Sequence, residues 1–498
     1  MCSERFVTYV SERTGSTPMR VQFFAGVIML GMRFQAVILL AAAFASMFAQ
    51  TGDLPLRMDR MRADLSFLCS RELAGRVSLQ PGAAIAARFL ATEYAKAGLK
   101  APFRESYLQR FPVIEPHLNS AGSSMAIVRG EGTVAETFRA GPDFRGSTRR
   151  DVSTTAPMVF AGYGITAPEY EYDDYAGLDV KGAIVLIFGH EPQEADPKSI
   201  FLGRGFTRYA GIRHKVLNAE RRGAVLVLLA AEPNGTHRSI FNTPTGTGGT
   251  LRGFAPSQGG EDVTVPVITI SPRMCSALIR SLGVSAIDLQ TQIDKHLKPA
   301  SKAIPDMVLQ VKLLNELTRR GMSQNVVGIV PGSDPASRDE TILVTSHYDH
   351  LPNRGDAFYP GANDNASGTV AVTELGRMFA ASAQRPKRTI AFVSFGSEEE
   401  GMLGSYYYAD HPIGKTRAVL NLDMIARDEA HTPEREGKLS ISAETQNEIN
   451  LIGGVFSPDL RAAIDRANGQ VGLRLSDKFD SDSSQNALFR CDHIPFLM

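Results

Sequence analysis

Thr341-Ile-Leu-Val-Thr-Ser-His-Tyr-Asp-His350 is an apolar, β-branched run that ends abruptly in residues able to hold a metal. Two more stretches follow the same pattern. Thr389-Ile-Ala-Phe-Val-Ser-Phe395 leads into Glu398-Glu399-Glu400, and Ala418-Val-Leu-Asn-Leu422 leads into Asp423. Between the first two lies Gly361-Ala-Asn-Asp-Asn-Ala-Ser-Gly368, a glycine-bounded loop that carries Asp364 and opens a helical pattern. Short β-rich runs alternating with helical ones read as βαβ units, so the expected fold class is α/β, a mixed, largely parallel sheet flanked by helices. Ligands in such sheets collect beyond the carboxyl ends of the strands. Polar clusters at three strand ends therefore predict one site.

The chain of 498 residues is long enough for two or three domains with ample core. Lys plus Arg (53) balance Asp plus Glu (53), so nothing in the charge calls for a nucleic-acid or anionic-membrane partner. Cys2, Cys69, Cys275 and Cys491 are widely spaced with no Cys-x-x-Cys, which argues against a zinc ribbon or thioredoxin-type chemistry and for buried free thiols. Residues 1–49 read as an export-signal region: Met32-Arg33-Phe34-Gln35 precedes the apolar run Ala36–Phe44, with small residues for cleavage after Ala45 or Ala49. The start is expected at Met32 and the destination is secreted or periplasmic, with no stable membrane partner once the signal is cleaved. The alternative is an anchor joining Val21 to Ala49, but Arg33 and Gln35 near its middle would be costly in a bilayer.

Leu56–Cys69 and Gly82–Ala97 have helical periodicity, and residues 56–111 are expected to pack on a later domain. Arg71-Glu-Leu-Ala-Gly-Arg76 between them reads as a turn with Gly75 as its breaker. Residues 112–305 form an inserted region with strand runs at Ala156–Ala161, Ala183–Phe188, Ala224–Leu229 and Val263–Ile270, and a helix over Tyr209–Arg222. The Gly/Thr/Pro-rich stretch Thr243–Gly260 lacks the Gly-Lys-Ser/Thr of a phosphate loop and reads as a mobile loop. His190-Glu-Pro-Gln-Glu194 lacks the second His of a helical zinc motif and is expected to be an exposed turn without metal. Residues 306–498 carry the catalytic pattern.

Each candidate has an ordinary explanation on its own. His347 could be a satisfied polar residue at a strand end, Glu398–Glu400 a solvated loop, Asp364 a helix cap, and Asp423 the start of a loop. Their coincidence at successive element ends carries the argument. His347, Asp364, Glu398, Glu399 and Asp423 are residue types that bind zinc or manganese, and a carboxylate-rich set suits two metals sharing one carboxylate. Asp349, two residues after His347, could accept the other imidazole N–H.

These motifs resemble the di-zinc exopeptidases of metallopeptidase family 28: His347-Tyr-Asp-His350, Gly361–Gly368, Ser397-Glu-Glu-Glu-Gly-Met-Leu-Gly-Ser405 and Asn421-Leu-Asp-Met-Ile425. Phe160–Ile165, Tyr172–Gly182 and Lys215–Ala224 resemble the protease-associated domain, so the inserted region is expected to be that β-rich module. The resemblance implies a zinc-exopeptidase fold with two zinc ions, manganese or cobalt being substitutes. Asp364 would bridge them, with His347 and Asp423 on one ion and Glu399 on the other. It makes Glu398 the general base and Asp349 the residue that orients His347. It also implies a last His ligand beyond Met498, after a strand at Ile494–Met498, which leaves the second site incomplete and makes the chain a fragment. His493 is disfavoured as that ligand. The implied function is an exported aminopeptidase acting on peptides. The alternatives are a carboxypeptidase or glutaminyl cyclase on the same scaffold, or a non-catalytic binding homologue like the transferrin receptor. No residue decides which peptide end is anchored.

Overall fold

The computed structural model describes residues 6–11, 56–203, 205–231, 233–234, 264–353, 355–429, 431, 441–442, 444–481 and 487–497. The expected signal core at 32–49 and the stretch Thr243–Gly260 lie outside the described residues. The chain divides into two compact units, residues 1–113 with 321–498, and residues 114–320.

The first unit holds the α/β architecture. Its strands are β1 (Phe6–Ser11), β2 (Leu108–Leu118), β3 (Asn315–Val330), β4 (Glu340–His347), β5 (Thr389–Phe395), β6 (Lys415–Asp423), β7 (Glu448–Ile452) and β8 (Arg474–Ser476). They lie in the order β8-β7-β1-β6-β4-β5-β3-β2. β4 runs parallel to both β5 and β6, while β3 is antiparallel to β5 and β1 to β6. The three central parallel strands are buried and mainly apolar over Ile342–Val344, Ile390–Val393 and Ala418–Leu420, as strands covered on both faces must be. Because they are parallel, their carboxyl ends share one edge.

The helices are α1 (Met58–Leu68), α2 (Pro81–Ala97), α3 (Ser367–Ala381), α4 (Leu403–Asp410) and α5 (Pro458–Asn468). α2 starts with Pro81, where a missing amide is harmless, and stops at Gly98 in the left-handed region. α3 is buried along most of its length and packs in one core with α1, α2 and the sheet, through Val370, Leu375 and Phe379. A buried ion cluster joins the three helices: Arg377 reaches Asp64 at 2.7 Å, Glu93 at 2.6 Å and Glu374 at 3.1 Å.

β1, from the stretch ahead of the expected start at Met32, pairs with β6 and β7. One expectation changes here. Ile494–Leu497, expected as a strand, is a short helix. Pro495 has no amide to give a sheet ladder, which disfavours the strand.

The second unit has its own eight-stranded sheet in the order Thr133–Arg139, Ser124–Arg129, Lys302–Leu313, Val152–Phe160, Ile184–Phe188, Leu226–Ala230, Val267–Ile270, Phe144–Gly146. The run from Val152–Phe160 to Val267–Ile270 is parallel. Since Lys302–Leu313 pairs inside this sheet, the second unit keeps the chain to Arg320 and not to 305. The motifs around Tyr163, Tyr172 and Lys215 meet in a buried network. Asp174 accepts the amides of Tyr163 and Ile165 and the Tyr172 hydroxyl, and Lys215 donates to the Tyr163 carbonyl. His190–Glu194 is a turn but not an exposed one: Glu191 and Glu194 are buried, and Glu191 accepts the amide and hydroxyl of Thr207.

Candidate metal centre

β4, β5 and β6 deliver His347, Glu398–Glu399 and Asp423 to one edge, and the Gly361–Gly368 loop lays Asp364 across it. His347 is buried, with Nε2 3.3 Å from Asp364 Oδ1, 3.5 Å from Asp423 Oδ1 and 3.9 Å from Glu398 Oε2. Beside it His350 Nδ1 stands 2.8 Å from Glu399 Oε1 and 4.0 Å from Asp364 Oδ2. The donors form two groups, His347 with Glu398 and Asp423, and His350 with Asp364 and Glu399, each within 4.8 Å. Asp364 belongs to both by distance. Its Oδ1 faces His347 and its Oδ2 faces His350.

Side-chain hydrogen bonds hold these segments in place. The Asn365 side chain donates to the Leu422 carbonyl and accepts the amides of Gly368 and Met424, while Asn363 accepts the amide of Ala426. The first turn of α3 is thus served by Asn365, and Asp364 does not cap it. Thr369 donates to the His347 carbonyl at 2.7 Å, tying α3 to the end of β4. Ser397 and Met424 adopt left-handed backbone (φ 63° and 53°) and turn the chain sharply before Glu398 and after Asp423.

Asp349 acts differently from the expectation. Its carboxylate is 3.9 Å from His347 Nδ1, and it is the Asp349 backbone carbonyl, at 3.1 Å, that meets the ring nitrogen. The carboxylate instead accepts the amides of Glu398 at 3.0 Å and Glu399 at 3.2 Å. It shapes the glutamate turn. With Nδ1 donating to that carbonyl, the neutral His347 ring would turn its Nε2 lone pair toward the site.

The electrostatics are those of a site that awaits positive charge. Burial pushes Glu398 well above the ordinary carboxylate range, helped by Asp492 and Glu399 and opposed by His347. Burial alone would lower His347, but the carboxylates of Glu398, Asp423 and Asp364 outweigh it and raise the imidazole well above its usual value. Burial also acts on Asp364, yet His347, His350 and Arg76 hold its carboxyl below the ordinary value. Among the described residues, Asp423 Oδ1 and His350 Nδ1 are buried and face the other donors without a well-aligned hydrogen bond. Buried lone pairs that converge without hydrogen bonding fit divalent cations, since such groups are otherwise costly. Imidazole with carboxylate suits zinc and its neighbours.

The structure thus brings together all of His347, Asp349, Asp364, Glu398, Glu399 and Asp423. Sequence reasoning gave no role to His350, which lies in the quoted motif, nor to Asp492, buried near Glu398 with its carboxyl pushed up by burial to about 7. His493 is buried but joins neither group among the described residues.

Residues 325–498 match the profile of peptidase family M28. The chain is 28% identical over 325 residues to an aminopeptidase, YwaD, of Bacillus subtilis, covering 64% of this chain and 52% of that protein. It is 29% identical over 360 residues to a probable glutamate carboxypeptidase, AMP1, of Arabidopsis thaliana, covering 67% and 44%. The chain spans about half the length of these curated relatives. Among solved structures, a zinc aminopeptidase from Bacillus subtilis aligns at 19% identity and a TM-score of 0.31, over 89% of this chain and 83% of that one. Both donor groups lie within residues 325–498, the stretch that matches the model of peptidase family M28.

Proposed function

We propose that this chain is an exported metal-dependent exopeptidase, in the first place an aminopeptidase, working with two zinc ions held around Asp364. The observation that carries the reading is the placement of the two Asp364 oxygens, one toward the His347 group and one toward the His350 group. His347, Asp423 and Asp364 would hold one ion, and Asp364, Glu399 and His350 the other. The sequence reading looked for the last imidazole beyond Met498, whereas His350 is the imidazole beside Glu399. Two ions held there would supply Lewis-acid polarisation of the peptide carbonyl and acidify the attacking water.

The remaining work falls to the chain. Glu398, the farthest of the three carboxylates from His347, is the general base: it takes a proton from the attacking water and delivers it to the leaving amine. Asp349 fixes Glu398 and Glu399 through their amides, so that one glutamate stays with the metal while its neighbour handles the proton. Export is supported by the charged start and apolar core at 32–49. The protease-associated assignment of residues 114–320 is supported by the motifs that meet at Asp174.

A second reading, carboxypeptidase, is favoured by the similarity to a probable glutamate carboxypeptidase. The zinc-loaded protein should be assayed on a panel of aminoacyl-anilides and, in parallel, on N-blocked dipeptides with a free C-terminus. Turnover of the anilides alone supports the aminopeptidase. Turnover of the blocked dipeptides alone replaces it with the carboxypeptidase, and turnover of neither overturns the enzymatic reading.

A further inference from the structure

The turn Arg71–Arg76 has no part in the chemistry described above, yet it ends in a fully buried cation. The hydrogen bonds of Arg76 run to backbone carbonyls. Nε donates to Tyr348 at 2.6 Å, Nη1 to Pro360 at 2.7 Å and to Leu68, and Nη2 to Gly361 at 3.0 Å. Tyr348 directly follows His347, Gly361 opens the loop that bears Asp364, and Leu68 ends α1, where a helix leaves carbonyls without partners.

We propose that Arg76 is the positioning residue of the metal centre: its guanidinium clamps the segment after His347 to the loop before Asp364 and so sets the spacing of the two donor groups. The geometry stands on its own, and the consequence for zinc rests on the function proposed above.

Three further observations support the clamp. Ala74, Gly75 and Arg76 are successive residues with left-handed φ (46°, 81° and 59°), an arrangement that persists only where the surroundings over-determine it. The approach is too close for side chains: a Cβ on Gly75 would collide with the Leu351 carbonyl, and one on Gly361 would lie 2.6 Å from Arg76 Nη2 and from the His350 ring. Two residues on, Ser78 hydrogen-bonds Ser397, which in turn bonds Ser323 at 2.8 Å, so the same segment also braces the turn before Glu398. Only arginine supplies a planar fork of donors for carbonyls on several sides; lysine is a point charge with three donors. The charge is suited to the place as well. Burial pulls the Arg76 pKa down, and the carboxylates of Asp349, Asp364 and Glu399 oppose that pull.

The test compares wild type with R76K and R76Q by two readouts. The first is amide hydrogen exchange over residues 348–362 in metal-free protein. The second is the zinc dissociation constant of the folded protein, measured by chelator competition below the melting transition. The clamp predicts exchange at least about tenfold faster in 348–362 with the β4–β6 amides unchanged, and zinc bound about 10–100-fold more weakly, as when partners that orient ligands are lost. A role in stability alone would lower the melting temperature and leave both readouts of the folded protein where they were, which overturns the proposal. R76K keeps the charge, so it carries the test where R76Q does not fold. If wild type itself takes up no zinc, the proposed function fails while the exchange comparison still decides the clamp.

Discussion

At the residue scale, neighbouring side chains do different things. Glu398 and Glu399 are adjacent, yet Glu399 lies against His350 while Glu398 stands at the rim of the His347 group. Glu398→Gln should therefore keep the bound metal and lose about 10²–10⁴-fold in kcat, the size of a general-base contribution; steady-state kinetics with metal analysis of the same sample checks both halves. Asp349→Asn should act on the glutamate turn, because one of the two amides would then face an amide NH₂ in place of a carboxylate oxygen. We expect lower kcat with His347 still in place, seen as an unchanged Nε2 environment in the histidine NMR spectrum. Asp349, read from sequence as the partner of His347, shows why such roles are hard to foresee. A two-residue offset identifies a neighbour, but whether its carbonyl or its carboxylate makes the contact is a matter of backbone geometry. Arg76 was less legible still, since its partners are carbonyls, which every residue has.

At the element scale, apolar runs ending in ligand-type residues made β4, β5 and β6 readable, because a strand covered on both faces has to be apolar along its length and polar only where it emerges. The same logic missed β1. Phe6-Val-Thr-Tyr-Val-Ser11 has the β-branched and aromatic composition of a strand, but it lies far along the chain from the runs that end in the motif residues, and nothing in it marks it as part of the site sheet. The helix layer holds a testable element of its own. Arg377 serves Asp64 of α1, Glu93 of α2 and Glu374 of its own helix. Burial and these bonds act in opposite directions on Arg377, and the bonds prevail, raising its pKa. Arg377→Ala takes the guanidinium from the buried Asp64, while Glu93 keeps Lys96 and Glu374 keeps Arg60, and chemical denaturation should show a loss of about 3–5 kcal/mol, the usual consequence of removing one side of a buried pair.

At the scale of the whole molecule two units share one chain, and the second carries a pH signature separable from the metal centre. Burial pushes the Glu191 carboxyl up to about 8, against hydrogen bonds from Thr207, and burial pushes Asp174 to about 7. The unfolded chain loses these protons near pH 4. Between there and pH 8 the folded form holds protons that the unfolded form has released, so the stability these two groups contribute is fully present below about pH 4 and is lost as pH rises through the folded values. Glu191→Gln should flatten that slope without abolishing it, Asp174 keeping its share; melting temperatures taken from pH 5 to pH 9 would show it. His190–Glu194 was misread at this scale, because a proline-bearing acidic pentapeptide looks exposed until Thr207, from a separate loop, covers Glu191.

The central claim is that Asp364 joins two metal sites, and zinc stoichiometry tests it most directly. Titration of the metal-free chain, with Asp364→Asn and His350→Ala in parallel, should give two zinc ions for the wild type, one tight site for His350→Ala, and marked weakening of both sites for Asp364→Asn. A wild type that binds a single zinc ion, or an Asp364→Asn protein that keeps both with unchanged affinity, would contradict it.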